Sequence, residues 1–241
     1  MKKIKKSSEL LWLFGTIFVA LGVSVCSKAN LGVSMIAAPA FVVYEAISPF
    51  ISWFSVGVTE YIIQAIMLLM LCVVIKKFRV KYLLAFAVAF LYGYVLDFFL
   101  WVLGGVSFND IWLRWLMLIV GDLITAFGVA CYFRTYMPLQ VYELFVSELS
   151  KSYSLKINKT KWAFDLSLLA ISIILAITLF GDLLSFNWGS ILYSSYHSIG
   201  LGTILTTIIN SPIIALMGKL IDKVFEPTPL FIKLEGLLKD K

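Results

Sequence analysis

Charge is scarce in this sequence. Asp, Glu, Lys and Arg make up 14% of its 241 residues, against 61% apolar residues. A soluble domain carries about a quarter charged residues, so a water-facing shell around an apolar core is excluded. Histidine occurs once, at His197, and the three cysteines, Cys26, Cys72 and Cys131, fall inside apolar runs. Their spacing fits no metal site, no Ser–His–Asp set can be built from His197, and no Gly-rich phosphate loop is present. The cysteines read as small packing residues, and no metal or cofactor is expected. An enzyme is not expected either, because no general acid–base pair can be placed on one site. Twenty Lys and Arg outnumber fourteen Asp and Glu, yet the cations cluster between apolar runs, so no nucleic-acid partner is expected.

Long apolar runs are what the chain has in abundance, and its mean hydropathy is +0.96. They cover residues 10–27, 33–47, 56–75, 82–103, 111–133, 138–149, 162–180 and 199–220. About twenty residues cross a ~30 Å hydrocarbon core, and in lipid only helices or closed barrels satisfy the backbone. A barrel would show short alternating segments, so the fold class is all-α, a polytopic membrane protein in a single transmembrane domain. Six runs are long enough to span. The run 138–149 would rise only about 18 Å. It sets Gln140, Glu143, Ser147 and Glu148 on one side and Leu139, Tyr142, Phe145, Val146 and Leu149 on the other, the pattern of a half-length amphipathic helix. The run 33–47 is interrupted by Pro39 and closed by Glu45. The first 29 residues have a basic start, an apolar run and small residues, as a secretory signal does. The run 10–26 is long for one and returns later in the chain, so it reads as a retained helix.

That return marks a duplication. Gly15, Ala20, Gly22, Val23 and Lys28 are matched 106 residues later by Gly121, Ala126, Gly128, Val129 and Arg134. A short helix follows each set, and the repeats cover residues 9–104 and 111–222, with a cytoplasmic tail over 223–241. Lys and Arg cluster at residues 2–6, 76–81, 134–161 and 219–241. If the two short helices do not cross, 18 of the 20 cations share one side and only Lys28 and Arg114 lie opposite. The positive-inside rule then favours six spans with both termini cytoplasmic in a bacterial cell membrane. Eight spans would leave a 14-to-6 split of the same cations. Three spans per repeat is an odd number, so the repeats are expected to be inverted, as in many secondary transporters with sites between the repeats. Eight spans would make them parallel. The tail from Glu226 reads as a short surface helix.

The run GVSVCSKANLGVSMIAAP (residues 22–39) resembles the KA-x-LG signature of the YczE/YyaS/YitT group of bacterial membrane proteins. FGVACYFRTYMPLQVYELF (127–145) is similar to that group's second-repeat counterpart, and GTILTTIINSPIIALMGKLID (202–222) to its closing helix. The resemblance is closest to the YczE-like branch and spans nearly the whole chain. It implies a multi-pass helical fold and little about activity. Where members of the group place an acid after the LG step, this chain has Met35, Ile36 and Ala37; the second repeat keeps one, Glu143.

Ionisable groups at membrane depth are costly and mark cavities or partners. Asp97 and Asp122 sit away from helix ends and are expected to line a site, or to hydrogen-bond Tyr92, Tyr94 or Thr125. Glu60 and Asp165 begin matching helices, either as favourable N-terminal carboxylates or as a symmetry-related pair at the site, with Gln64 one turn beyond Glu60. Asn210–Ser211–Pro212 is expected to interrupt the last helix. Lys28 and Arg134, each before a short helix, are candidates for two gates or an anion contact, for neutralising Glu45 and Glu143, or for snorkelling to headgroups. His197 reads as a solvated loop residue. The expected function is a small-solute permease. The other reading is a non-catalytic membrane partner, either the substrate-binding component of a larger transport complex or an accessory subunit, with a partner protein or homodimer possible.

Overall fold

The computed structural model describes residues 4–76, 78–183 and 186–230. After a strand β1 (Ile4–Ser7) come eight helices: α1 (Ser8–Ala29), α2 (Ala38–Ile47), α3 (Val56–Ile75), α4 (Val80–Val102), α5 (Ile111–Tyr132), α6 (Val141–Ser152), α7 (Ile157–Phe180) and α8 (Leu201–Val224), followed by a strand β2 (Phe225–Thr228). The fold is all-α, as expected. Six helices are long and apolar enough to cross a membrane, namely α1, α3, α4, α5, α7 and α8. At ~1.5 Å per residue the ten residues of α2 and the twelve of α6 fall well short of a bilayer. Large apolar side chains such as Leu69, Val73, Phe98 and Ile174 are exposed along the long helices, which suits lipid.

The bundle is organised on α1 and α5. Gly15 meets Gly128 and Gly22 meets Gly121, while the Cys26 thiol donates to the Leu118 carbonyl at 3.6 Å and Tyr132 donates to Thr16 Oγ1 at 2.9 Å. Partner numbers fall on one helix as they rise on the other, so the two run antiparallel. A Cβ added to Gly128 would lie 2.7 Å from the Val19 backbone nitrogen, and one on Gly22 would lie 2.6 Å from that of Thr125. Small residues at such crossings let two backbones touch. The 106-residue offset maps the Gly15–Gly128 contact onto Gly121–Gly22, so the crossing is its own image under exchange of the two halves.

Other contacts follow the same exchange. α1 packs on α4 as α5 packs on α8, and each short helix crosses into the opposite half, α2 against α7 and α6 against α3. One pairing breaks the rule. α3 lies against α4, with Gly57 at Gly93, whereas α7 and α8 have no comparable packing among the described residues.

Several boundaries differ from the sequence expectation. Residues 33–37 are not helical; Val33 N–H donates to the Ser198 carbonyl at 2.9 Å, and α2 begins only where Pro39 can occupy its first turn. α6 starts at Val141, three residues after Pro138, and its polar side does not face an interface: Glu143 and Glu148 are as buried as Tyr142 and Phe145. α8 runs unbroken through Asn210–Ser211–Pro212; Pro212 only deprives the Ile208 carbonyl of its helical donor. The tail begins as a strand, not a helix, with β1 and β2 paired in parallel; residues 231–241 lie outside the described residues. That pairing puts both ends of the described chain at one end of the bundle. The α3–α4 link joins them there through Arg79, which pairs with Glu148 of α6 at 3.0 Å, as does Arg134, which pairs with Asp222 at 2.6 Å.

Candidate functional site

Where the two halves interlock, the interior is polar. A chamber of about 40 Å³, room for a few waters, is bounded by Glu60 from α3, Tyr92 from α4, Gln140 and Glu143 at α6, Lys161 from α7 and Asn210 from α8. Cavities of about 20 and 10 Å³ adjoin it, sharing Ile36 and Lys161 with it. A wider vestibule of about 470 Å³ opens beside them, walled by Phe133 and Arg134 at the end of α5, by Ile157 and Trp162 of α7 and by Pro212 of α8. It lies where α7 and α8 stand apart. Lys161 borders all four spaces.

Each wall residue arrives by a local cause. The Ser55 side chain caps α3 by accepting from Val58 N–H at 3.1 Å, which sets Glu60 and Gln64 on one face a turn apart. Gln64 Nε2 donates to Glu60 Oε2 at 3.3 Å and Tyr142 donates to the same oxygen at 3.0 Å. Gln64 Oε1 accepts from Val141 N–H at 3.4 Å, so one buried amide ties Glu60 to the start of α6. Lys161 and Asp165 form an (i, i+4) pair at 3.3 Å. Three buried polar atoms at the chamber have no hydrogen-bond partner: Gln140 Nε2, Glu143 Oε2 and Asn210 Oδ1. Leaving such groups dry and unpaired costs about 1–3 kcal/mol each. Three on one cavity is the arrangement of a site that takes a polar occupant.

The sequence candidates separate. Glu60, Gln64, Glu143, Asp165 and Asn210 come together around the chamber and its neighbours. Asp97 does not. It accepts from Ser55 Oγ at 2.6 Å and from Gly57 N–H at 2.8 Å, holding α4 to the first turn of α3, and none of its hydrogen bonds goes to Tyr92, Tyr94 or Thr125. Asp122 is buried on α5 near Cys26 and does not border the chamber. Arg134 is bound bidentately by Asp222 at 2.6 and 2.7 Å and also donates to the Ala130 carbonyl at 3.1 Å, so it clamps α5 to α8 at the vestibule rim instead of neutralising Glu143. Lys28 sits in the last turn of α1, and Glu45 is met not by it but by His197 and Ser198. His197 is no free loop residue. It stacks on Phe180 with centroids 3.4 Å apart and lies between Glu45 at 3.1 Å and Asp182 at 3.3 Å. Hydrogen bonds from Tyr196 and His197 hold the Asp182 carboxyl below its ordinary range.

Gln140, Tyr142 and Lys161 were missed as site residues. Lys161 had a visible signal, its four-residue spacing from Asp165, masked by the basic cluster around it. No grouping of three or more His, Cys, Asp or Glu able to hold a metal occurs among the described residues.

Six helices of spanning length around a buried polar chamber make this a multi-pass helical membrane protein. The sequence profile of a family of unknown function (DUF6198) matches residues 6–219, and the chain belongs to that family. No curated protein and no solved structure in the comparisons matches it.

Proposed function

We propose that the chain is a small-solute permease of the bacterial cytoplasmic membrane, with both termini cytoplasmic and its site between two inverted repeats. The observation that carries this reading is the set of unpartnered buried atoms of Gln140, Glu143 and Asn210 in one chamber, whose walls come from both halves of the chain. The antiparallel α1–α5 crossing and the exchange of α2 and α6 between halves support an inverted duplication, the architecture that places transporter sites at the repeat interface. Basic segments gathered at the end of the bundle holding both termini support a cytoplasmic assignment of that end. The YczE-like resemblance belongs to the same reading, which involves no covalent step.

The asymmetry of the bundle supplies a mechanism. The vestibule shares Lys161 and Ile214 with the chamber and lies where α7 and α8 part, while their counterparts α3 and α4 are closed by Gly57 against Gly93 and by Asp97. Exchanging which pair is closed would move access from one side of the chamber to the other. Proteoliposomes containing only this chain and offered a panel of labelled small polar solutes are expected to accumulate at least one. Glu143→Gln should slow that uptake by about tenfold or more, the loss that removing one charge-assisted contact of about 1.5–3 kcal/mol produces. Binding without movement would favour the non-catalytic partner reading instead.

A further inference from the structure

The charge balance of the chamber specifies what it takes. Lys161 is the one cation on its wall among the described residues, and Asp165 already pairs with it. Glu60 is satisfied by neutral donors alone, Gln64 and Tyr142. Glu143 presents Oε2 with no partner. Two carboxyl groups therefore share a small interior with a single cation, Lys161, whose charge acts on Glu143 but is already shared with Asp165. Arg134 and Arg79 are engaged elsewhere, in pairs with Asp222 and Glu148. The second unpartnered acceptor on the chamber is Asn210 Oδ1, and Tyr92 and Tyr142 also line the wall.

From this geometry we infer that the solute is a small protonated amine, its ammonium group held by Glu143 Oε2 and Asn210 Oδ1 beside two tyrosines. The inference rests on the permease reading for the word solute, but the binding chemistry stands apart from it. An N–H cation suits the site better than a bare metal ion. Two free acceptors cannot supply the six or so oxygens that hard cations take, whereas an ammonium needs only a few acceptors. Gln140, whose side chain lies within reach of the Tyr132 hydroxyl, then offers Nε2 to an acceptor on the same solute. A buried carboxylate facing an ammonium is stabilised where an isolated one is costly. An anion would meet Glu143 and Glu60 as like charges.

The full-length protein in lipid nanodiscs, where no gradient exists, tests this by binding alone. Three probes of similar size are compared: ethanolamine as cation, ethylene glycol as neutral isostere and glycolate as anion. Ethanolamine should bind at least about tenfold more tightly than either of the others. Glu143→Gln should weaken ethanolamine by about tenfold or more, and Asn210→Asp, which adds a third carboxyl group to the chamber, should tighten it. The tightening arm cannot be mimicked by misfolding. Equal or better binding of glycolate or ethylene glycol, no binding of any probe, or indifference to both substitutions would overturn the inference. Binding of ethanolamine in nanodiscs without uptake into proteoliposomes would sink the permease reading and leave the amine site standing.

Discussion

At the scale of single residues, the acids were easy to find and hard to assign. Ionisable groups stand out in apolar runs, so Glu60, Asp97, Asp122, Glu143 and Asp165 were all visible. Their roles depend on which other helix each one reaches, and sequence spacing carries no such information. Asp97, little more than a turn from the end of α4, serves the start of α3; Glu60, about as near the start of its own helix, faces the chamber. Asp97→Ala is accordingly expected to lower thermal stability through loss of two hydrogen bonds at a helix start, about 1–3 kcal/mol, while ethanolamine affinity in nanodiscs stays at the parent value. A melting curve and a binding isotherm on the same preparation separate the two effects. Glu60→Gln should do the reverse, keeping the melting temperature within a few degrees while weakening solute binding.

At the scale of elements, the repeat carried most of the information. Gly15, Gly22, Gly121 and Gly128 mark the duplication by recurring at one offset on both first helices, and the structure crosses those helices there. The short helices were legible by length and by Pro39 and Pro138. Their placement was not. An amphipathic pattern reads the same whether the polar side meets water or a buried chamber, and only the packing of α6 on α3 and α7 decides between them. The strand pairing of residues 4–7 with 225–228 was not legible either, since neither segment alternates clearly enough to pair by pattern. Replacement of Gly22 by valine forces side-chain atoms into the backbone of α5 at Thr125. It is expected to cost at least the usual ~1–3 kcal/mol of overpacking and to lower the melting temperature in detergent. The same change at the exposed Gly105, which has open space around it, should have little effect.

At the scale of the whole molecule, charge and symmetry point to one arrangement. The sequence distribution of Lys and Arg favours six spans, the structure has six helices of spanning length, and the antiparallel α1–α5 contact requires the two first helices to enter from opposite ends of the bundle. Departure from symmetry at α7–α8 was invisible in the sequence, because the helices of each pair are similarly apolar and only their separation differs. The vestibule lies at that separation and shares Lys161 and Ile214 with the chamber.

The opposed orientation of the two halves is the claim on which the rest depends, and sidedness of labelling tests it directly. In a background with the three native cysteines replaced, single cysteines at the exposed positions Ser52, Gly105 and Ser152 report on the loop after α2, the loop after α4 and the end of α6. An impermeant thiol reagent applied to intact cells is expected to label Ser52→Cys and Gly105→Cys, and to reach Ser152→Cys only after the membrane is opened. Labelling of Ser52→Cys from the cytoplasmic side alone would mean that α2 crosses the bilayer, and would contradict the inverted arrangement.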